Sequence, residues 1–157
     1  METRLVGDKK RRVCPECEFI HFTDPKVGVG VLVLQGERVL LVKRKMMPEK
    51  GKWSIPAGFL DYGEDPKLTA EREVLEETNL RVKIYDLLDV YYNRDAREKG
   101  GASIFILYKA KLKGGELKAG DDAAATGFFG LEELPELAFS STKDAIRKWQ
   151  ETFRGHS

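Results

Sequence analysis

The sequence predicts an α/β protein with one mixed β-sheet held between helices. Apolar, β-branched segments of strand length recur along the chain, while only two segments carry the 3.6-residue period of a helix. The two helices do not alternate with the strands as repeating βαβ units, which argues against an all-parallel sheet and for a layered mixed one. A length of 157 residues suits one domain with a sizeable core. There is no internal repeat and no low-complexity tract.

Residues 1–26 read as an irregular N-terminal arm, and 27–157 as the main domain. Residues 27–34, VGVGVLVL, form a buried strand; the QGER turn and the strand 39–43 complete a hairpin. A basic loop follows from Lys43 to Lys52, and 53–55 leads into Pro56, Ala57 and Gly58. The first helix starts at Asp65, a capping residue, and Pro66, which suits the first helical position, and runs to about Thr78. Strands are expected at 81–92, 102–112 and 126–130, with polar loops at 93–101 and 113–125. LEELPEL, at 131–137, reads as a short helical turn. Ser140 caps a last helix over 141–153, with Ala145, Ile146, Trp149 and Phe153 on its buried side.

The segment 58–80, GFLDYGEDPKLTAEREVLEETNL, carries the chemistry. At roughly 100° per residue, Leu68, Ala70, Val74, Leu75 and Thr78 are expected to share a core-facing arc, with Glu73, Glu76 and Glu77 on the opposite one. Like charges this close destabilise a bare helix, and a hard divalent cation reverses the penalty. Arg72 sits one turn from Glu76 and can hold a carboxylate bidentately. Gly58 is expected in a turn where a bare backbone brings its carbonyl towards the cation. Asn79 suits a left-handed helix end.

This segment closely resembles the Nudix box, G-x5-E-x7-R-E-U-x-E-E-x-G-U, where U is a bulky aliphatic residue. The matching positions are Gly58, Glu64, Arg72, Glu73, Glu76 and Glu77. The late Gly of the pattern is Asn79, which tolerates the same backbone conformation. The resemblance implies the Nudix α/β/α sandwich. It also implies Mg²⁺ or Mn²⁺ bound by Glu73, Glu76 and Glu77, with Arg72 as an orienting group, Glu64 as an outer ligand or support, and Gly58 beside the metal. The family's chemistry is hydrolysis of a diphosphate joining a nucleoside to another moiety.

Net charge is +1, giving no global electrostatic case for nucleic acid or a membrane surface. No apolar run approaches the roughly 18 residues of a membrane span, and the basic start lacks a signal-peptide core, so the expected location is cytoplasmic. Cys14 and Cys17, in CPEC, are half of a zinc site. The surrounding stretch resembles the second cysteine pair of the zinc ribbons found in several Nudix subgroups. Zinc would then need a second chain's pair, or His21; the other reading is a vestigial knuckle without metal. A homodimer is a further expectation from the family.

Arg44, at a strand end among basic neighbours, is a candidate phosphate contact. Phe22, Trp53, Tyr91, Tyr92 and Phe128 are candidates to stack on a base; Tyr91 and Tyr92, adjacent on a strand, must point to opposite faces. The acid that related proteins often carry before the penultimate strand falls on Ala125, leaving Asp121, Asp122 and Glu98 as substitutes. CPECEFIHFTDPKVGVGVLV, GKWSIPAGFLDYGE and LAFSS look like the branch containing FAD pyrophosphatases and ADP-ribose pyrophosphatase-like proteins. The expected substrate is therefore an ADP-linked compound of ADP-ribose or FAD type. A nucleoside triphosphate pyrophosphohydrolase and a non-catalytic nucleotide sensor are the alternatives.

Overall fold

A computed structural model describes residues 1–94, 101–120 and 122–154, with the backbone alone for 153 and 154. Glu98, Asp121, His156 and the Phe153 side chain lie outside the described residues. The elements in chain order are β1 (Glu2–Val6), β2 (Lys9–Val13), β3 (Ile20–His21), β4 (Val27–Gln35), β5 (Arg38–Arg44), β6 (Trp53–Ser54) and β7 (Ala57–Phe59). There follow α1 (Pro66–Thr78), β8 (Leu80–Tyr92), β9 (Ile104–Gly115), β10 (Ala123–Gly130) and α2 (Ser140–Arg154).

The main sheet runs β10-β5-β4-β9-β8, with β6 added to β5 and β7 to β4. β4 and β9 pair in parallel and the other pairs are antiparallel, so the sheet is mixed as the sequence predicts. Period-two alternation on β4 builds a core on each face. Val29, Val31 and Val33 pack with Ala70 and Val74 of α1. Leu32 turns the other way and packs with Ala145, Ile146 and Trp149 of α2. Each helix thus covers one face. Among the described residues no helix is long and apolar enough to cross a membrane.

Four expectations are corrected. Residues 1–26 are not an irregular arm: β1, β2 and β3 form an antiparallel sheet of their own. The 131–137 segment holds no helix; its Leu137 bridges to Trp53 beside the sheet. β9 and β10 extend into the expected loop 113–125, reaching Gly115 and starting at Ala123, because register pairing with β8 and β5 overrides the polar composition. The inward arc of α1 is also rotated. Leu68 and Leu75 are exposed at 62 % and 45 %, while Thr69, Ala70, Val74 and Thr78 are buried. Glu73 and Glu77 therefore sit at the edge of the inward face rather than opposite it.

Candidate active site

Local chemistry fixes α1 at both ends. The Asp65 side chain accepts hydrogen bonds from the Lys67 and Leu68 N–H groups at 2.8 and 3.4 Å, and Pro66 opens the helix. Asn79 ends it with φ 61°, its N–H donating to the Leu75 carbonyl at 2.9 Å and its Nδ2 to the Glu116 carbonyl at 2.8 Å. The 118–120 segment then covers the last turn: Lys118 N–H donates to the Thr78 carbonyl and Gly120 N–H to that of Glu77. These bonds satisfy carbonyls that the helix end leaves without partners.

Gly58 lies in strand β7, not in a turn, and its missing side chain does the work. A Cβ there would stand 2.2 Å from Glu73 Cδ and 2.5 Å from its Oε1. Bare backbone lets the helix lay a carboxyl directly on the sheet edge. Gly120 has a similar reason: a Cβ would come 2.4 Å from the Glu76 carbonyl oxygen. No spacing pattern pointed to Gly120, because its partner is backbone.

Arg72 joins the acids. Its Nη1 donates to Glu64, and its other nitrogens lie 3.5 Å from Glu73 and 3.4 Å from Glu76. Glu64 also accepts the Asp61 N–H at 2.9 Å, and these bonds hold its carboxyl below the usual range, the backbone bond most strongly. Burial pushes Glu77 up to about 9, reinforced by the Glu73 charge and opposed by the Ala57 N–H and by Arg44. Glu73 is raised as well, by burial and then by Glu76. Each inner carboxyl is thus costly to ionise, most strongly through its own burial and next through a neighbouring carboxylate.

Glu73, Glu76 and Glu77 form one wall of a cavity of about 330 Å³. Gly58, Arg44, Asp122 and Phe139 also line it, as do Lys43 and Lys45. The Arg44 guanidinium stacks 4.7 Å from the Phe139 ring centroid, and its Nε donates to the Pro48 carbonyl at 2.7 Å. Glu64 does not line the cavity and is joined to the acids through Arg72. Sequence reasoning missed Phe139, although it lies within the LAFSS segment.

The stacking candidates do not line this cavity. Phe22 is exposed under the Arg11 guanidinium, and Phe128 packs against the α1-side core. Trp53 meets Phe129 edge to face. Tyr91 packs against the α2-side core, and Tyr92 points out at 77 % exposure, the opposite faces expected of neighbours on a strand.

The donors on the acidic wall are carboxylate oxygens, the kind that Mg²⁺ and Mn²⁺ take. Two of these carboxyls are forced towards neutrality beside one another, a cost that a cation in that place removes. The residues fit such an ion in chemistry. In the described conformation they engage one another and Arg72, and among the described residues no three His, Cys, Asp or Glu side chains converge on one ligating point. The same holds at Cys14 and Cys17. Both thiols are free. They share a turn in which the Cys14 N–H donates to the Phe19 carbonyl and Glu18 N–H to that of Cys14. The Cys17 and Glu16 backbone N–H groups lower the Cys14 thiol. His21 lies on β3, exposed, without joining them.

The NUDIX domain profile matches residues 24–150. An ADP-ribose pyrophosphatase from Methanocaldococcus jannaschii is 41 % identical over 135 residues, which is 86 % of this chain and 78 % of that one. The mitochondrial NAD(P)H pyrophosphatase NUDT13 of Mus musculus is 41 % identical over 85 % of this chain, which spans 37 % of that longer protein. A crystal structure of a NUDIX hydrolase from Nitrosomonas europaea superposes with a TM-score of 0.86 at 35 % identity, covering 99 % of this chain and 88 % of that one. The chain belongs to the Nudix family.

Proposed function

We propose that this chain is a divalent-cation-dependent pyrophosphatase that cleaves the diphosphate of an ADP-linked compound, of ADP-ribose or FAD type, to AMP and a phosphorylated product. The observation that carries this is the pairing, across one cavity, of an acidic wall with a pinned arginine: Glu73, Glu76 and Glu77 against Arg44. Carboxylates alone repel a diphosphate; with a cation among them and Arg44 lining the same cavity, the cavity attracts one. The relative from M. jannaschii supports the ADP-ribose type.

Glu73, Glu76 and Glu77 would hold Mg²⁺ or Mn²⁺, with Glu64 and the Gly58 carbonyl in support. Such an ion, when bound, polarises phosphoryl oxygens and makes water a nucleophile near neutral pH. The chain's own residues do the rest. Arg44 neutralises and orients the diphosphate through charge-assisted hydrogen bonds. Arg72 fixes the rotamers of Glu64, Glu73 and Glu76, which sets where the carboxylates point. Asp122, which lines the same cavity, would be the candidate to accept a proton from the attacking water.

The test is a product screen in Mg²⁺ with ADP-ribose, FAD, NADH, coenzyme A, dinucleoside polyphosphates and nucleoside triphosphates. AMP from ADP-ribose or FAD is the expected result. Pyrophosphate from a triphosphate, with ADP-ribose untouched, would transfer the chain to the triphosphate hydrolases. Silence throughout, with tight nucleotide binding, would make it a sensor. A homodimer is also part of this proposal, to be read by sedimentation; the edge strand β8 supports it, with Tyr85, Leu87, Val90 and Tyr92 exposed.

A further inference from the structure

Phe139 has a backbone that no catalytic motif explains. Its φ is 60°, in the left-handed region, where a bulky aromatic is a genuine outlier. Of the four non-glycine residues with positive φ among the described residues, only Phe139 lines the acidic cavity. Strain of this kind persists where surrounding structure imposes it, and it concentrates at functional sites. Here the constraint is visible on both sides. The Ala138 N–H donates to the Trp53 carbonyl at 2.7 Å, and the Phe139 carbonyl accepts the Lys143 N–H at 3.3 Å from the first turn of α2.

The outcome is an aromatic ring, 37 % exposed, turned into the cavity and beneath the Arg44 guanidinium. Arg44 is thus held twice, over the ring and at Nε by the Pro48 carbonyl. A guanidinium held over a ring and bonded at Nε has its Nη groups left to meet a ligand. Among the described residues no carboxylate forms an ion pair with Arg44, although four (Glu73, Glu76, Glu77 and Asp122) line the same cavity.

We propose that Phe139 is a positioning residue: its left-handed backbone places the ring so that Arg44 presents its Nη edge to the substrate's diphosphate. The role in substrate binding rests on the function proposed above; the grip on Arg44 does not.

Two measurements test it. In ¹H–¹⁵N spectra of the metal-free protein, the Arg44 Nε–H should give a resolved, slowly exchanging signal in the wild type and in Phe139→Tyr, which keeps the π face. It should be lost to exchange in Phe139→Leu, and its persistence there would overturn the proposal whatever the substrate is. In steady-state kinetics with ADP-ribose, Phe139→Leu should raise KM about tenfold, the scale of a partly desolvated cation–π contact, with kcat within about twofold. Phe139→Tyr should match the wild type. In an Arg44→Ala background, Phe139→Leu should add nothing. Effects that multiply in the double variant, or a loss confined to kcat, would refute positioning through Arg44. Should Phe139→Leu fail to fold, Arg44→Lys replaces it: a lysine keeps the charge without the planar grip, and an unchanged KM would sink the idea. Absence of wild-type turnover on ADP-ribose would count against the proposed substrate alone, and the spectra would still decide the grip.

Discussion

Gly58 and Glu73 occupy one another's space: the Cβ that any other residue would place at 58 falls 2.2 Å from the Glu73 carboxyl carbon. The contact joins β7 to α1 and puts the carboxyl on the sheet edge. Gly58→Ala must therefore move either the strand or the glutamate. Overpacking of this kind costs roughly 1–3 kcal/mol. On the proposed metal assignment, displacing Glu73 should lower activity by about 10–100-fold. We expect a lower melting temperature together with reduced kcat at saturating Mg²⁺. Wild-type kcat in Gly58→Ala would show that Glu73 does not need this seat.

Glu77 makes the metal-free protein sensitive to alkali. Its carboxyl is pushed up to about 9 in the folded state by burial and by Glu73, from an ordinary value of 4.5. Between those values the folded chain binds more protons than the unfolded one. Stability therefore falls as pH rises through that window. Urea melts in EDTA at pH 5.5, 7 and 8.5 should show the decline, and Glu77→Gln, which mimics the protonated form, should flatten it. On the proposed metal assignment the same substitution should cost at least about 100-fold in turnover with Mg²⁺, as should Glu76→Gln, since each would remove an oxygen offered to the metal. Unchanged turnover in both variants would reassign the acidic face.

Arg72 contacts three carboxylates: Glu64, Glu73 and Glu76. A lysine keeps the charge but cannot fork among them. Arg72→Lys is expected to fold and to lose about 10–100-fold in kcat, with a raised Mg²⁺ requirement. A Mg²⁺ titration of the rate separates the outcomes. A lowered kcat with an unaltered Mg²⁺ midpoint would mean that Arg72 acts on the substrate instead.

Much of this was legible in the sequence, and the failures have physical causes. Asp65, Pro66 and Asn79 marked the ends of α1 because capping is a local interaction between neighbours in the chain. The buried strand β4 was legible because its β-branched, apolar run is continuous in the chain. The inward arc of α1 was misplaced because Leu68 and Leu75 are apolar but exposed, while Glu73 and Glu77 turn inward beside Gly58. Hydrophobicity gives the wrong face when the buried face carries the chemistry. The N-terminal strands were missed because β1 and β2 are largely exposed and basic, held by register rather than by a buried stripe. Phe139 and Gly120 were missed because their partners, Arg44 and the Glu76 carbonyl, are distant in sequence.

Asn79 stands where the Nudix pattern has glycine, and the structure predicts how the exchange is tolerated. Its φ of 61° costs a non-glycine residue roughly 1–2 kcal/mol relative to glycine. Asparagine is among the side chains that bear this best, and here its Nδ2 donates to the Glu116 carbonyl at 2.8 Å, a bond of about 1 kcal/mol net. The two terms oppose each other. Asn79→Gly gains backbone freedom and loses the side-chain bond, so stability should change by less than about 1 kcal/mol. Asn79→Ala keeps the left-handed penalty without the bond and should be destabilised by about 1–2 kcal/mol. Paired denaturant melts of the two variants read the sign directly. If alanine proved as stable as glycine, the left-handed cap would not be what ends α1, and the seat of Glu76 and Glu77 in its last turn would have to be held by the 118–120 segment alone.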